Sequence, residues 1–122
     1  MPIKKSGIDG MAYDVFKLDT ETIEGIGGFV PPSSAAVTEV AASESAVTLL
    51  ASNSARRGGV IHNGADRDLY VKFGASASTT SFTFLLAPDQ YAALVPYTGI
   101  ITGIWTSGVD TNLDAHLTEL SA

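Results

Sequence analysis

No cysteine occurs in this chain, which excludes disulfide staples, thiolate metal centres and cysteine nucleophiles and leaves the redox compartment open. Stability must then come from packing or from assembly. Charge is scarce as well: 16% of the residues are Asp, Glu, Lys or Arg, with a net charge of −6. The basic residues are Lys4, Lys5, Lys17, Arg56, Arg57, Arg67 and Lys72, and none follows Lys72. That balance argues against a nucleic-acid partner, because binding to phosphate rests on cationic contacts. Surfaces so poor in charge match the depleted cores of subunit interfaces, so an oligomer or a docked subunit is expected. Apolar runs long enough to cross a bilayer, ~20 residues, are absent too. The start Met1-Pro2-Ile3-Lys4-Lys5 lacks the apolar segment of a signal peptide, so a soluble chain made in the cytoplasm, with no membrane partner, is expected.

What is present divides at about residue 45. The 122 residues, 45% of them hydrophobic, suffice for one core and not for two large domains. In residues 1–45, Gly7, Gly10, Gly25, Gly27 and Gly28 interrupt any periodicity, Pro31-Pro32 stops both helix and strand, and 33–45 is small and polar. This composition predicts an extended N-terminal arm or linker. Along it Ile8, Met11, Tyr13, Phe16, Ile23, Ile26 and Phe29 recur as apolar anchors. A solvated tail rarely carries so many, and they are the candidate contacts of an arm laid across a partner subunit.

Residues 46–122 read as an all-β domain. Strands are expected at about 46–51, 57–63, 68–74, 81–86, 90–95, 99–106 and 114–120, and short strands at near-regular spacing predict an antiparallel β-sandwich or a jelly-roll-like barrel. The breaks have turn chemistry: Asn63-Gly64 suits a tight hairpin, Gly74–Thr80 is a small polar loop, Pro88-Asp89 begins a turn, and Gly108–Asn112 precedes the last strand. Alternation turns Leu69, Val71 and Phe73 inward, with Ile61, Phe82, Phe84 and Leu86. In 99–106, Ile100 and Ile104 oppose Ile101 and Trp105. Both faces of that strand are expected to be covered.

Little of the remaining chemistry is organised. Asp66-Arg67-Asp68 and the loop Asp110, Asn112, Asp114 are rich in oxygen, yet each is short of the ligand number that calcium requires. His62 and His116 are the only imidazoles, and neither has the two-histidine spacing of a helical metal site. His116 could meet Asp114 and a serine, but no G-x-S-x-G elbow supports a catalytic triad. Gly25-Ile26-Gly27-Gly28 lacks the third glycine of a dinucleotide loop and is read as a hinge. Arg56-Arg57 before Gly58-Gly59 suits an intersubunit salt bridge or a loop anchor. Trp105, with Tyr91 and Tyr97, offers either a sugar-binding platform or a packed interface. No catalytic residue, cofactor or metal ligand is assigned, and no enzymatic activity is expected.

Four stretches, Val47-Thr48-Leu49-Leu50, Arg56–Asn63, Leu69–Gly74 and Tyr97–Trp105, together resemble the small β-domains of tailed-bacteriophage virion structural proteins. The resemblance implies a virion location after synthesis in the bacterial host cytoplasm. It implies a capsid decoration or cement protein that stabilises contacts between capsid subunits. The partners would be the major capsid protein or other virion subunits, in a homo-oligomer with a trimer as one option. The arm anchors together with Arg56, Arg57 and Trp105 are the candidate partner contacts. The alternative is a tail, fibre or baseplate β-domain that binds a host surface glycan or adapts another tail protein.

Overall fold

A computed structural model describes residues 31–122. Among these residues there is no helix, and the elements are β1 (Ser34–Ala41), β2 (Val47–Leu50), β3 (Arg56–Asn63), β4 (Leu69–Phe73), β5 (Phe84–Leu86), β6 (Tyr91–Leu94), β7 (Ile101–Trp105) and β8 (Asp114–Ser121). They form two antiparallel four-stranded sheets, β1-β8-β3-β6 and β2-β7-β4-β5, here sheets A and B. The pairing is nested: β1 with β8, β2 with β7, β3 with β6 and β4 with β5. The chain is thus one long antiparallel hairpin folded over on itself, closed by the β3–β8 and β4–β7 ladders. That order is the jelly roll.

The inward positions are those that alternation selects. From sheet A come Ile61, Ala115, Leu117 and Leu94; from sheet B come Leu49, Leu69, Val71, Leu86, Ile101 and Trp105, all buried. Phe73 and Phe84 pack against this core, and Tyr97 stacks on Phe73 at 5.0 Å between ring centroids. Two buried polar side chains tie the ends of the sandwich. Asn63 accepts from the Trp105 indole Nε1 (3.0 Å) and the Ala65 amide, and donates to the carbonyls of Arg67 and Leu86. Its full hydrogen-bonding capacity is used, so its burial carries no unpaired group. Arg56 donates to Glu119 Oε2 (2.8 Å) and to the carbonyls of Tyr97, Gly99 and Ala51. One guanidinium thereby joins β8 to the loops after β2 and β6.

Several expectations change. The segment 33–45 is not linker: β1 lies in it and pairs with β8 over its whole length. β1 is an edge strand of small residues in which only Val40 packs on the core. Backbone hydrogen bonds rather than hydrophobic alternation hold it, which is why composition hid it. The anchors Ile8, Met11, Tyr13, Phe16, Ile23, Ile26 and Phe29 lie outside the described residues. Asn63-Gly64 is not a hairpin turn, since β3 and β4 belong to opposite sheets.

Phe82 is 43% exposed rather than inward. Thr83 donates its amide to Val71 while Phe84 is Val71's register partner, so two successive residues face one and the alternation reverses before β5. Ile104 is half-buried on the outside of β7, whereas Ile101 is fully buried. The outer side of β7 is covered at Thr102, whose hydroxyl donates to Gly74 O (2.7 Å) and accepts from the Ala77 amide (3.1 Å). The 74–80 loop is thus held against the strand.

Candidate functional site

In β8 the inward Ala115 and Leu117 alternate with outward Asp114 and His116; in β3 the inward Ile61 and Asn63 flank outward His62. Register then does the rest. Glu39 of β1 pairs with His116, His116 with His62, and His62 with Tyr91 of β6. A row of Glu39, His116, His62 and Tyr91 therefore crosses all four strands on the outer face of sheet A.

The row is rich in ligand atoms. His116 Nε2 lies 3.0 Å from Asp114 Oδ1 and its Nδ1 lies 3.6 Å from Glu39 Oε2. One carboxylate thus stands at each ring nitrogen. His62 is next to it, with 5.8 Å between ring centroids, and its Nε2 is 3.1 Å from Asp89 Oδ1. Asp89 presents that carboxylate from a left-handed turn, φ 69°, closed by the Gln90 amide on Ala87 O. Beside the row sits Gly64, where a Cβ would stand 2.6 Å from Asp114 O and 3.3 Å from His116 Cδ2. Any larger residue would clash with the Asp114 carbonyl and crowd the imidazole. Ligand atoms of Glu39, Asp114 and His116 lie within 4.8 Å of one another, a cluster that side-chain rotation can close around a cation.

Glu39 and Asp89 escaped sequence reading. The i, i+2 spacing of Asp114 and His116 places them on one strand face, but Glu39 joins them only through the register of β1, and Asp89 only through the fold. The second nitrogen of His116 faces Glu39 rather than a serine hydroxyl. The other carboxylates brace loops. Asp66 Oδ1 accepts from the Asp110 amide, Asp110 Oδ1 from the Asn112 amide, and Glu44 Oε2 from the Gly108 amide.

The candidate partner contacts of the domain are mostly interior. Trp105 is 1% exposed and Arg56 is fully buried, so neither is available to another molecule; Arg56 is a loop anchor within its own domain. Arg57 is half-buried. No sugar platform forms either, because Trp105 is in the core, Tyr97 is stacked on Phe73, and Tyr91 stands on the outer face of sheet A. Tyr91 is exposed alone there, and a second group of exposed apolar side chains stands on the outer face of sheet B. There Leu85, Tyr70 and Ile104 form a row in register, and Phe82 packs edge-on to Tyr70 at 4.9 Å.

No family model matches the chain, and no curated protein matches it. Among solved structures, it is similar to dTDP-4-dehydrorhamnose 3,5-epimerase from Bacillus anthracis, crystallised with TDP and PPi bound, at 13% identity and a TM-score of 0.41. The match covers 83% of this chain and 59% of the epimerase chain. That protein is an enzyme, whereas no enzymatic activity was expected of this chain. A likeness of this degree transfers no activity, substrate or ligand.

Proposed function

We propose that this chain is a structural subunit of a tailed-bacteriophage virion, of the decoration type that reinforces contacts between capsid subunits. The observation that carries the reading is the outer face of sheet B. Leu85 is 44% and Phe82 43% exposed, next to half-buried Tyr70 and Ile104. The interior of the sandwich is already filled by Ile61, Leu69, Ile101, Trp105 and Leu117, so these outer side chains are not a spilled core. A contiguous apolar patch of this kind is suited to a protein partner. The occupant proposed is the capsid protein, with Arg57 and residues 1–31 as further candidate contacts. Binding would stabilise the contact by covering area that water otherwise wets.

The test is removal of the protein from the particle. Particles without it are expected to assemble and then to release DNA at lower temperature than complete ones, with adsorption to cells unchanged. Particles that keep their heat stability but fail to adsorb would overturn the proposal in favour of a tail or fibre module. A second arm uses purified protein: Phe82→Ser combined with Leu85→Ser should leave a folded domain that no longer rebinds depleted capsids. Rebinding at wild-type occupancy would remove sheet B from the contact.

A further inference from the structure

The row on sheet A has no role in the packing of the sandwich, yet it gathers borderline and hard ligands on adjacent strands. We propose that Glu39, Asp114 and His116, with His62 completing the set, bind one Zn2+-class cation on the outer face of sheet A. The inference goes beyond the particle reading and does not rest on it.

Geometry supports it first. Ligand atoms on a tetrahedral zinc stand ~2.0–2.2 Å from the ion and so roughly 3.3 Å from each other. Asp114 Oδ1 and His116 Nε2, at 3.0 Å, are already at that spacing. Glu39 now stands at the other ring nitrogen, Nδ1, and reaches the ion by swinging its side chain, 62% exposed, to the Nε2 side. His62 lies outside the three residues whose ligand atoms fall within 4.8 Å of one another, but its ring centroid is 5.8 Å from that of His116, so a turn of its ring brings it to the same ion.

The surroundings support it a second time. Imidazoles that ligate metals commonly have the other ring nitrogen held by a carboxylate, which sets ring orientation. Asp89 stands in that position against Nε2 of His62, which leaves Nδ1 for an ion. Gly64 leaves the space that the His116 ring occupies. His62 and His116 sit in direct cross-strand register, Glu39 and His116 do likewise, and Asp114 pairs with Ala41, so backbone ladders rather than flexible loops fix all four ligands.

Chemistry selects the class of ion. A mixed set of imidazoles and carboxylates suits zinc and its neighbours among the divalent transition metals. Calcium and magnesium prefer all-oxygen sets of six or more. Binding would also join β1 to β8 and β3 through side chains, where at present the edge strand is held by its backbone.

The experiment is titration of the purified full chain with Zn2+ by calorimetry, and with Co2+ followed by its visible absorption. One equivalent is expected to bind, with a tetrahedral cobalt spectrum and a raised melting temperature. His116→Ala should abolish binding, Asp89→Asn should weaken it roughly 10–100-fold as expected for an orienting partner, and Mg2+ or Ca2+ should not compete. If His116→Ala fails to fold, the pair Glu39→Gln and Asp114→Asn takes its place, with metal-free unfolding as the control. No saturation at millimolar Zn2+, binding unchanged in the variants, or equal affinity for Ca2+ would each overturn the proposal.

Discussion

The two sheets share one core and differ on their outer faces. Sheet A turns out Glu39, His116, His62 and Asp114, with exposed Tyr91 at the end of the row; sheet B turns out Leu85, Tyr70, Ile104 and Phe82. Their inner faces differ as well. Sheet A carries the buried polar ties, Arg56 with Glu119 and Asn63, whereas sheet B supplies Trp105, Leu69, Val71 and Ile101. The difference teaches that one sheet clamps the ends of the sandwich and the other fills it. On the outside, one face suits an ion and the other a protein surface.

Arg56→Ala gives the largest expected effect. It leaves Glu119 without its partner and the carbonyls of Tyr97, Gly99 and Ala51 unpaired, at a cost of about 3–5 kcal/mol by urea unfolding. Arg56→Lys should recover little of this, since an ammonium cannot span the fork. A near-neutral Arg56→Ala would mean that the sheet A clamp is ornamental. Ile101→Ala comes next, at about 2–5 kcal/mol for a fully buried site, while Ile104→Ala on the outer side of the same strand should cost about 1 kcal/mol. Equal losses at the two positions would erase the distinction between the inner and outer sides of β7.

Phe82→Ser should also cost about 1 kcal/mol, because it removes an edge-on aromatic contact and little burial. Its larger consequence should appear in rebinding to capsids. The smallest effect is expected at Glu39→Gln, whose unfolding midpoint without metal should stay within about 0.5 kcal/mol of wild type. A substantial loss there would show that the row on sheet A supports the fold itself.

Much of the fold was legible because the strands from Val47 onward carry their own alternation and turns. Leu69 and Val71 point inward as the pattern requires, and the turn at Pro88-Asp89 lies where its residues predict. β1 was not legible, because Ala35-Ala36-Val37-Thr38 carries almost no amphipathic contrast and its partner lies at the far end of the chain. Phe82 was misplaced because an extra residue opposite Val71 leaves no trace in a hydrophobic pattern. Arg56 and Trp105 resembled surface contacts, since sequence does not reveal that an arginine will find three carbonyls or an indole a buried amide oxygen. Of the site, Asp114 and His116 could be paired by spacing; Glu39 and Asp89 could not, being contributed by a strand hidden in weak sequence and by the turn that leads into β6 beside His62.

Nested pairing has a kinetic consequence. β8 lies between β1 and β3 in sheet A, and the Ser33 amide donates to Ser121 O across the widest separation in the domain. Sheet A cannot form its interior until residues 114–121 are available, so during synthesis β1 and β3 wait with unpaired edges. Non-local closure of this kind is slow, on the scale of milliseconds to seconds for small β proteins. Throughout that interval the open edges are able to pair with other nascent chains. The early chain exposes its ladders, and only the last strand to arrive removes them.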